Sequence, residues 1–201
     1  MGKILKPGDI SQRVPPGQYL TSKFPVLTYG PVPRFNPQTW DFQVLGEVEE
    51  PRRFSYQEFR ALPRGKMVAD FHCVTTWSRL DNVWEGVMVA DLMKLVKLKP
   101  GARFVLIHCD AGYTTNLALE YFLDDDVMLA DRHDGQDLTA DHGFPLRLVV
   151  PKLYAWKSAK WVRAIEFLAT ESRGFWEVRG YHNRADPWLE ERYSYQEEPE
   201  E

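Results

Sequence analysis

The sequence lacks most of the features that would assign it a chemistry at once. It has two cysteines in 201 residues, Cys73 and Cys109. They form no CxxC pattern, which excludes a disulfide scaffold and a zinc ribbon. No apolar run approaches the length of a membrane span. Met1 to Leu20 hold no apolar stretch of an export signal, and Arg52-Arg53 lies too far inside to be one. The expectation is a soluble cytoplasmic protein. Net charge is −4, so the chain offers no general basic face for nucleic acid. Walker A and Rossmann glycine patterns are absent, which excludes a nucleotide held in either way. There is no internal repeat. What is present, 44% hydrophobic and 13% aromatic residues, is enough to bury the core of one domain.

Punctuation along the chain predicts an α+β domain. Pro7, Pro15, Pro16, Pro25, Pro31, Pro33 and Pro37 predict an extended arm wrapped over the surface. Trp40 to Gly46 alternates as a half-buried strand does. Ser55-Tyr56-Gln57-Glu58 has capping-box spacing and opens a short helix that Pro63 stops. Val68 to Val74 reads as a strand. Asp91 is expected to cap a second helix, with Leu92, Leu95 and Val96 on one face, ended by Pro100-Gly101. Phe104 to Cys109 and Leu146 to Val150 read as strands, and Leu117 to Leu123 as a helix. After Trp188 the composition turns to Glu, Tyr and Pro and predicts a frayed acidic end.

Two features carry chemistry. Strand phase points both thiols inward, the usual fate of cysteine. Cys73, however, precedes Thr75, Thr76, Trp77 and Ser78, a polar mouth where a thiolate is able to ligate a soft metal. Each cysteine follows a histidine, His72-Cys73 and His108-Cys109. A zinc site of two Cys and two His is therefore an alternative, although adjacent strand residues face opposite ways. A thiol nucleophile with a His partner is another. The second feature is Gly143 to Ile165, a stretch without acids that carries Arg147, Lys152, Lys157, Lys160 and Arg163. Arg147 lies inside an apolar strand, where an unpaired cation is costly, so an anionic partner is expected. Lys157, Ser158 and Lys160 gather between Trp156 and Trp161, donors suited to a phosphate.

Several motifs occur together in order: Pro31-Val32-Pro33, Asn36-Pro37-Gln38-Thr39-Trp40, Asp70 to Ser78 and Trp84-Glu85-Gly86. Then come Asp110-Ala111-Gly112-Tyr113, His142 to Trp161, and Gly174-Phe175-Trp176-Glu177-Val178-Arg179-Gly180-Tyr181. On these the chain resembles the molybdopterin-binding domain of the sulfite-oxidase-like oxidoreductases, above all the small stand-alone prokaryotic members. The resemblance implies a mixed, β-rich fold with short helices. It divides the chain into an arm (1–23), the molybdopterin-binding domain (24–193) and an acidic disordered tail (194–201). It implies a molybdenum-molybdopterin cofactor, with Cys73 as the thiolate on the metal. His142 and Arg147 match contacts to the pterin, and Ser158, Ala159 and Lys160 match contacts to its phosphate. Tyr29 and Asp110 align with further pterin contacts, and Tyr181 with a tyrosine facing the substrate. Thr75 and Tyr181 are expected to tune the metal and orient the substrate.

Where sulfite oxidases gather arginines for an oxyanion, this chain has Leu27 and Ser78, with Arg79 next door. The mouth is therefore expected to suit a neutral substrate. The implied activity is oxygen-atom transfer to or from a small molecule such as a sulfoxide, an N-oxide or a sulfite-like compound. Electrons would come from or go to a partner protein. A pterin-binding module without turnover is the alternative.

Overall fold

The computed structural model describes residues 10–197. Within them eleven strands run as β1 (Tyr19–Leu20), β2 (Asp41–Gly46), β3 (Arg52–Ser55), β4 (Gly65–His72), β5 (Trp77–Met88), β6 (Phe104–Cys109), β7 (Thr114–Ala118), β8 (Met128–His133), β9 (Gln136–Asp137), β10 (Arg147–Val149) and β11 (Val162–Leu168). Helices are single turns: α1 (Tyr56–Arg60), α2 (Val89–Leu92) and α3 (Leu119–Phe122). Two sheets result. A five-stranded sheet has the order β3-β2-β11-β6-β7. A six-stranded sheet runs β1-β5-β8-β10, with β4 paired to β5 and β9 to β8.

Alternation builds the five-stranded sheet. Val105, Ile107 and Cys109 of β6 are buried while Phe104, Leu106 and His108 are half-buried. Phe42, Val44, Ile165 and Phe167 join them in the main core, closed below by Phe59 and Phe122. β11 holds the sheet together, parallel to β2 and antiparallel to β6. The six-stranded sheet is less regular. Its β8 buries Met128, Leu129, Ala130 and Asp131 in succession, and Arg60 and Arg64 neutralise Asp131.

Several expectations change. Asp91 does not cap α2; Met88 stands at the cap, and Asp91 sits in the first turn, bonded to Lys94 at 2.7 Å. Leu117 lies in β7, so the helix there starts only at Leu119. The strand before Cys73 ends at His72, because Cys73 to Thr76 form the turn of the β4–β5 hairpin. Of the expected arm, residues 1–9 lie outside the described residues; farther on, Tyr19 and Leu20 pair in parallel with Trp77 and Ser78. Of the expected tail, 198–201 lie outside as well. Ser194–Gln196, though, form a 3-10 turn, and the Glu197 carboxylate pairs with Arg173. Among the described residues no helix is long and apolar enough to cross a membrane.

Candidate active site

Between the β4–β5 turn, residues 24–29 and the segments after β6, β10 and β11 lies a cavity of about 300 Å³. Cys73, Tyr181, Tyr29, Asp110, His142, Arg147, Ser158, Ala159 and Lys160 all line it. Residues far apart in sequence, from Tyr29 to Tyr181, thus meet at one hollow. Its backbone is forced in places. Ala111 and Trp161, in its wall, and Thr76, beside Cys73, hold φ of 60°, 58° and 73°. For a β-branched residue such as Thr76 that is a conformation the surroundings must impose.

Cys73 is 6% exposed. Its amide donates to Trp77 O at 2.8 Å across the turn, and its Sγ lies 3.2 Å from Thr75 Oγ1. Burial pushes the thiol's pKa up, while the Thr75 hydroxyl works against that shift. His72 turns away: its Nδ1 meets Ser78 Oγ at 2.8 Å, and burial lowers its pKa to about 4. It is therefore not placed to activate Cys73. The zinc alternative also fails. Among the described residues only Asp124, Asp125 and Asp126 converge as a group of possible ligands, and His108 bonds Glu166 at 2.7 Å.

Arg147 is 4% exposed. Its Nη1 and Nη2 donate to His142 O and Ser158 O, each at 3.0 Å, and its Nε has no partner. The guanidinium faces the rings of Phe24, Phe71 and Trp84 at 5.6, 5.2 and 5.3 Å. The anionic partner expected from sequence is not supplied by the described residues, and burial lowers the group's pKa to about 9. Lys160 is similar. Nζ donates to Leu27 O at 2.9 Å, Thr28 Oγ1 at 2.5 Å and Asp141 O at 2.8 Å, all uncharged oxygens. Burial, then repulsion from Arg147, lowers its pKa to about 8. His142 stacks on Phe24 with centroids 4.2 Å apart and ring planes nearly parallel. Burial, with Arg147 and Lys160 adding to it, lowers its pKa to about 4, so its ring is neutral at pH 7. A Cβ added at Gly143 (φ 111°) would stand 3.1 Å from Arg147 Cβ and Lys160 Cβ, so a side chain there would crowd both residues.

The other basic residues of that stretch are occupied elsewhere. Lys157 pairs with Glu177 at 2.6 Å, Lys152 with Asp124 at 2.5 Å, and Arg163 with Asp41 and Asp110. The cationic floor is thus two residues, not five, and Asp110 brings an Arg163 contact at 3.0 Å with it. Ser158 Oγ accepts from Val150 N–H at 2.9 Å. Tyr29 is 65% exposed at the rim, its ring 4.9 Å from Phe175. The Tyr181 ring lies 5.2 Å from Trp156 and 5.1 Å from Trp176. Leu27 lines the cavity, Ser78 is fully buried, and Arg79 is turned to Asp134 at 2.5 Å. The aromatic wall made by Phe24, Tyr113, Trp156 and Phe175 was not singled out from the sequence. Dense Trp and Phe in the two late motifs was the one signal for it.

Residues 29–176 match the family described as "Oxidoreductase molybdopterin binding domain". The chain belongs to this family of oxidoreductases, whose cofactor is molybdopterin. It is 48% identical over 188 residues to the uncharacterized oxidoreductase YuiH of Bacillus subtilis, covering 93% of this chain and 95% of that protein. It is 28% identical to the protein-methionine-sulfoxide reductase catalytic subunit MsrP of Campylobacter jejuni, over 71% of this chain and 54% of the other. The fold matches the sulfane dehydrogenase SoxCD of Paracoccus pantotrophus with a TM-score of 0.64 at 22% identity, over 78% of this chain and 46% of that one. The chain thus spans about half the length of the last two.

The cavity suits the cofactor on physical grounds. A buried guanidinium with an unbonded Nε, an ammonium held only by neutral oxygens and a thiol on the same wall form a donor set for an anionic group bearing a soft metal.

Proposed function

We propose that this protein transfers an oxygen atom to or from a small neutral substrate, a sulfoxide or N-oxide in the reductive direction. The carrying observation is the cation pair Arg147 and Lys160, neither matched by a described carboxylate, in one cavity with Cys73. Cys73 would hold the molybdenum through its sulfur, with Thr75 Oγ1 bonded to that atom. His142 and Arg147 would hold the pterin, with Tyr29 and Asp110 as further pterin contacts, while Ser158, Ala159 and Lys160 would take its phosphate. When bound, the molybdenum centre supplies two-electron redox chemistry; the protein supplies ligation, orientation and a shaped mouth.

The chain's own part is distinct. Burial, with Tyr193 and Cys73 nearby, raises the Tyr181 phenol above its ordinary pKa. At neutral pH it keeps its proton and is a donor for the substrate oxygen. Trp156 and Trp176 exclude water from one side of that phenol. For a sulfoxide the balance is simple: the sulfur–oxygen bond breaks, two electrons and two protons are taken up, and a thioether and one water are released. A donor protein provides the electrons. Among the described residues that line the cavity Arg147 is the one arginine; Leu27 stands in the wall and Arg79 is paired with Asp134, which supports the neutral substrate over an oxyanion such as sulfite. MsrP, by its name, acts on a methionine sulfoxide. Two free cysteines fit a reducing, cytoplasmic setting.

The test assays dye-linked reduction of sulfoxides and N-oxides beside oxidation of sulfite, on protein whose molybdenum and fluorescent oxidised pterin have been counted per chain. Sulfoxide turnover that Cys73→Ala abolishes, with pterin retained, is the expected outcome. Loaded protein without turnover on any of these compounds makes the chain a pterin-binding module. Unchanged activity in Cys73→Ala ends the ligand assignment.

A further inference from the structure

Behind the Trp156 wall lies a buried charge cluster that the reading above leaves unused. Glu177 is 2% exposed. Its Oε1 receives three donors: Lys157 Nζ at 2.6 Å, Thr115 Oγ1 at 2.8 Å and the Trp156 indole N–H at 3.0 Å. Lys157, fully buried, also donates to Asn116 O at 2.8 Å and Asn116 Oδ1 at 3.2 Å. A carboxylate and an ammonium at this depth are costly unless each meets the other, so neither is expected there for stability alone.

The cluster touches both jaws of the Tyr181 pocket. The Trp156 ring stands edge-on to Tyr181, with centroids 5.2 Å apart and planes at 76°. Glu177 also heads the 3-10 turn Glu177–Arg179, which Gly180 closes at φ 96°. Tyr181 follows at once, its N–H bonded to Trp176 O at 3.1 Å. One carboxyl group therefore grips the indole that Tyr181 leans on and begins the turn from which Tyr181 projects. Lys157, its counter-ion, is joined in sequence to Ser158.

We infer that Glu177 is a positioning residue, paired with Lys157, that fixes Trp156 and Tyr181 in one relative geometry. It does not line the cavity itself and acts through the indole N–H of Trp156 and the turn. This rests on the reading of Tyr181 as the substrate contact. An oriented donor displaced by about 1 Å costs up to ~100-fold in rate, so the fixed ring and turn bear on turnover rather than on binding.

The experiment uses loaded holoenzyme carrying 3-fluorotyrosine, with the Tyr181 resonance assigned by its loss in Tyr181→Phe. In the parent protein Tyr181 gives one narrow fluorine line; in Glu177→Gln, which changes no ring, that line broadens or splits. Trp156→Phe keeps an aromatic ring and deletes the indole N–H. It lowers kcat by about 10- to 100-fold and changes KM by less than about twofold, with molybdenum per chain unchanged. Combined with Tyr181→Phe, its further effect on kcat falls below about twofold, because the two act through one geometry. Should Glu177→Gln fail to fold with its counter-ion left behind, Glu177→Gln/Lys157→Met removes both charges and gives the same fluorine readout. An unmoved fluorine line, or effects of Trp156→Phe and Tyr181→Phe that multiply in full, overturns the positioning role. A parent holoenzyme without turnover instead refutes the proposed activity, and the fluorine line still decides the role of Glu177.

Discussion

Arg147 and Lys157 stand ten positions apart in one acid-free stretch, both withdrawn from water, and the protein treats them in opposite ways. Lys157 is met by a carboxylate, a backbone carbonyl and an amide oxygen. Arg147 is met by two carbonyls and three aromatic faces, and one of its nitrogens is unbonded. Burial depth and charge are alike; the compensation differs. A buried cation closed off by protein is part of the framework. One that the protein leaves with surplus positive charge inside a hollow is a means of holding an anion.

Reversing the charge beside Arg147 gives the largest effect. Lys160→Glu should purify without pterin, measured as fluorescent oxidised pterin per chain, and full occupancy would end the phosphate role. The same substitution at the two contrasted cations comes next. Lys157→Met leaves Glu177 buried without its counter-ion and should destabilise the cofactor-free protein by about 3–5 kcal/mol in urea. A loss under about 1 kcal/mol would place the pair with ordinary surface ion pairs. Arg147→Met removes a cation that no carboxylate compensates. The cofactor-free fold should then change by less than about 1 kcal/mol, while pterin affinity drops by the ~1.5–3 kcal/mol of a charged hydrogen bond. Equal losses of fold stability at both positions would erase the contrast.

The smallest effect is acid sensitivity. His133 and His142 have folded pKa values lowered to about 4 from an ordinary 6.5, chiefly by burial. Between those values the unfolded chain binds more protons. Their contribution is therefore present above pH 6.5 and is lost as pH falls toward 4. The urea midpoint of the cofactor-free protein should decline over that window, and His142→Gln should flatten part of the decline.

Local signals in the sequence carried much of this structure. The capping box at Ser55 and the alternation of β6 need only neighbouring residues, and both are found as expected. β5 was not legible. Arg79, Asp81, Asn82 and Glu85 interrupt its alternation, and they are satisfied by Asp134, by Arg13, by the Arg79 backbone and by Arg132, mostly distant in sequence. β8 was missed for a related reason: Asp131 looks like a loop residue until Arg60 and Arg64 reach it. All nine residues expected at the site do line one cavity, because the motifs that suggested them are short and ordered. Telling Lys157 from Arg147 was beyond the sequence, since the deciding acid, Glu177, stands twenty positions downstream.

An ammonium has three hydrogens, and in Lys160 each has a recipient, two of them on the segment before Tyr29, at Leu27 and Thr28. The amine thus ties the segment at Leu27 and Thr28 to the turn at Asp141 as well as carrying a charge. A negatively charged guest has to displace one of those recipients or share its hydrogen. A guest that takes one of those hydrogens would therefore loosen one tie between Lys160 and the segment at Leu27 and Thr28 or the turn at Asp141.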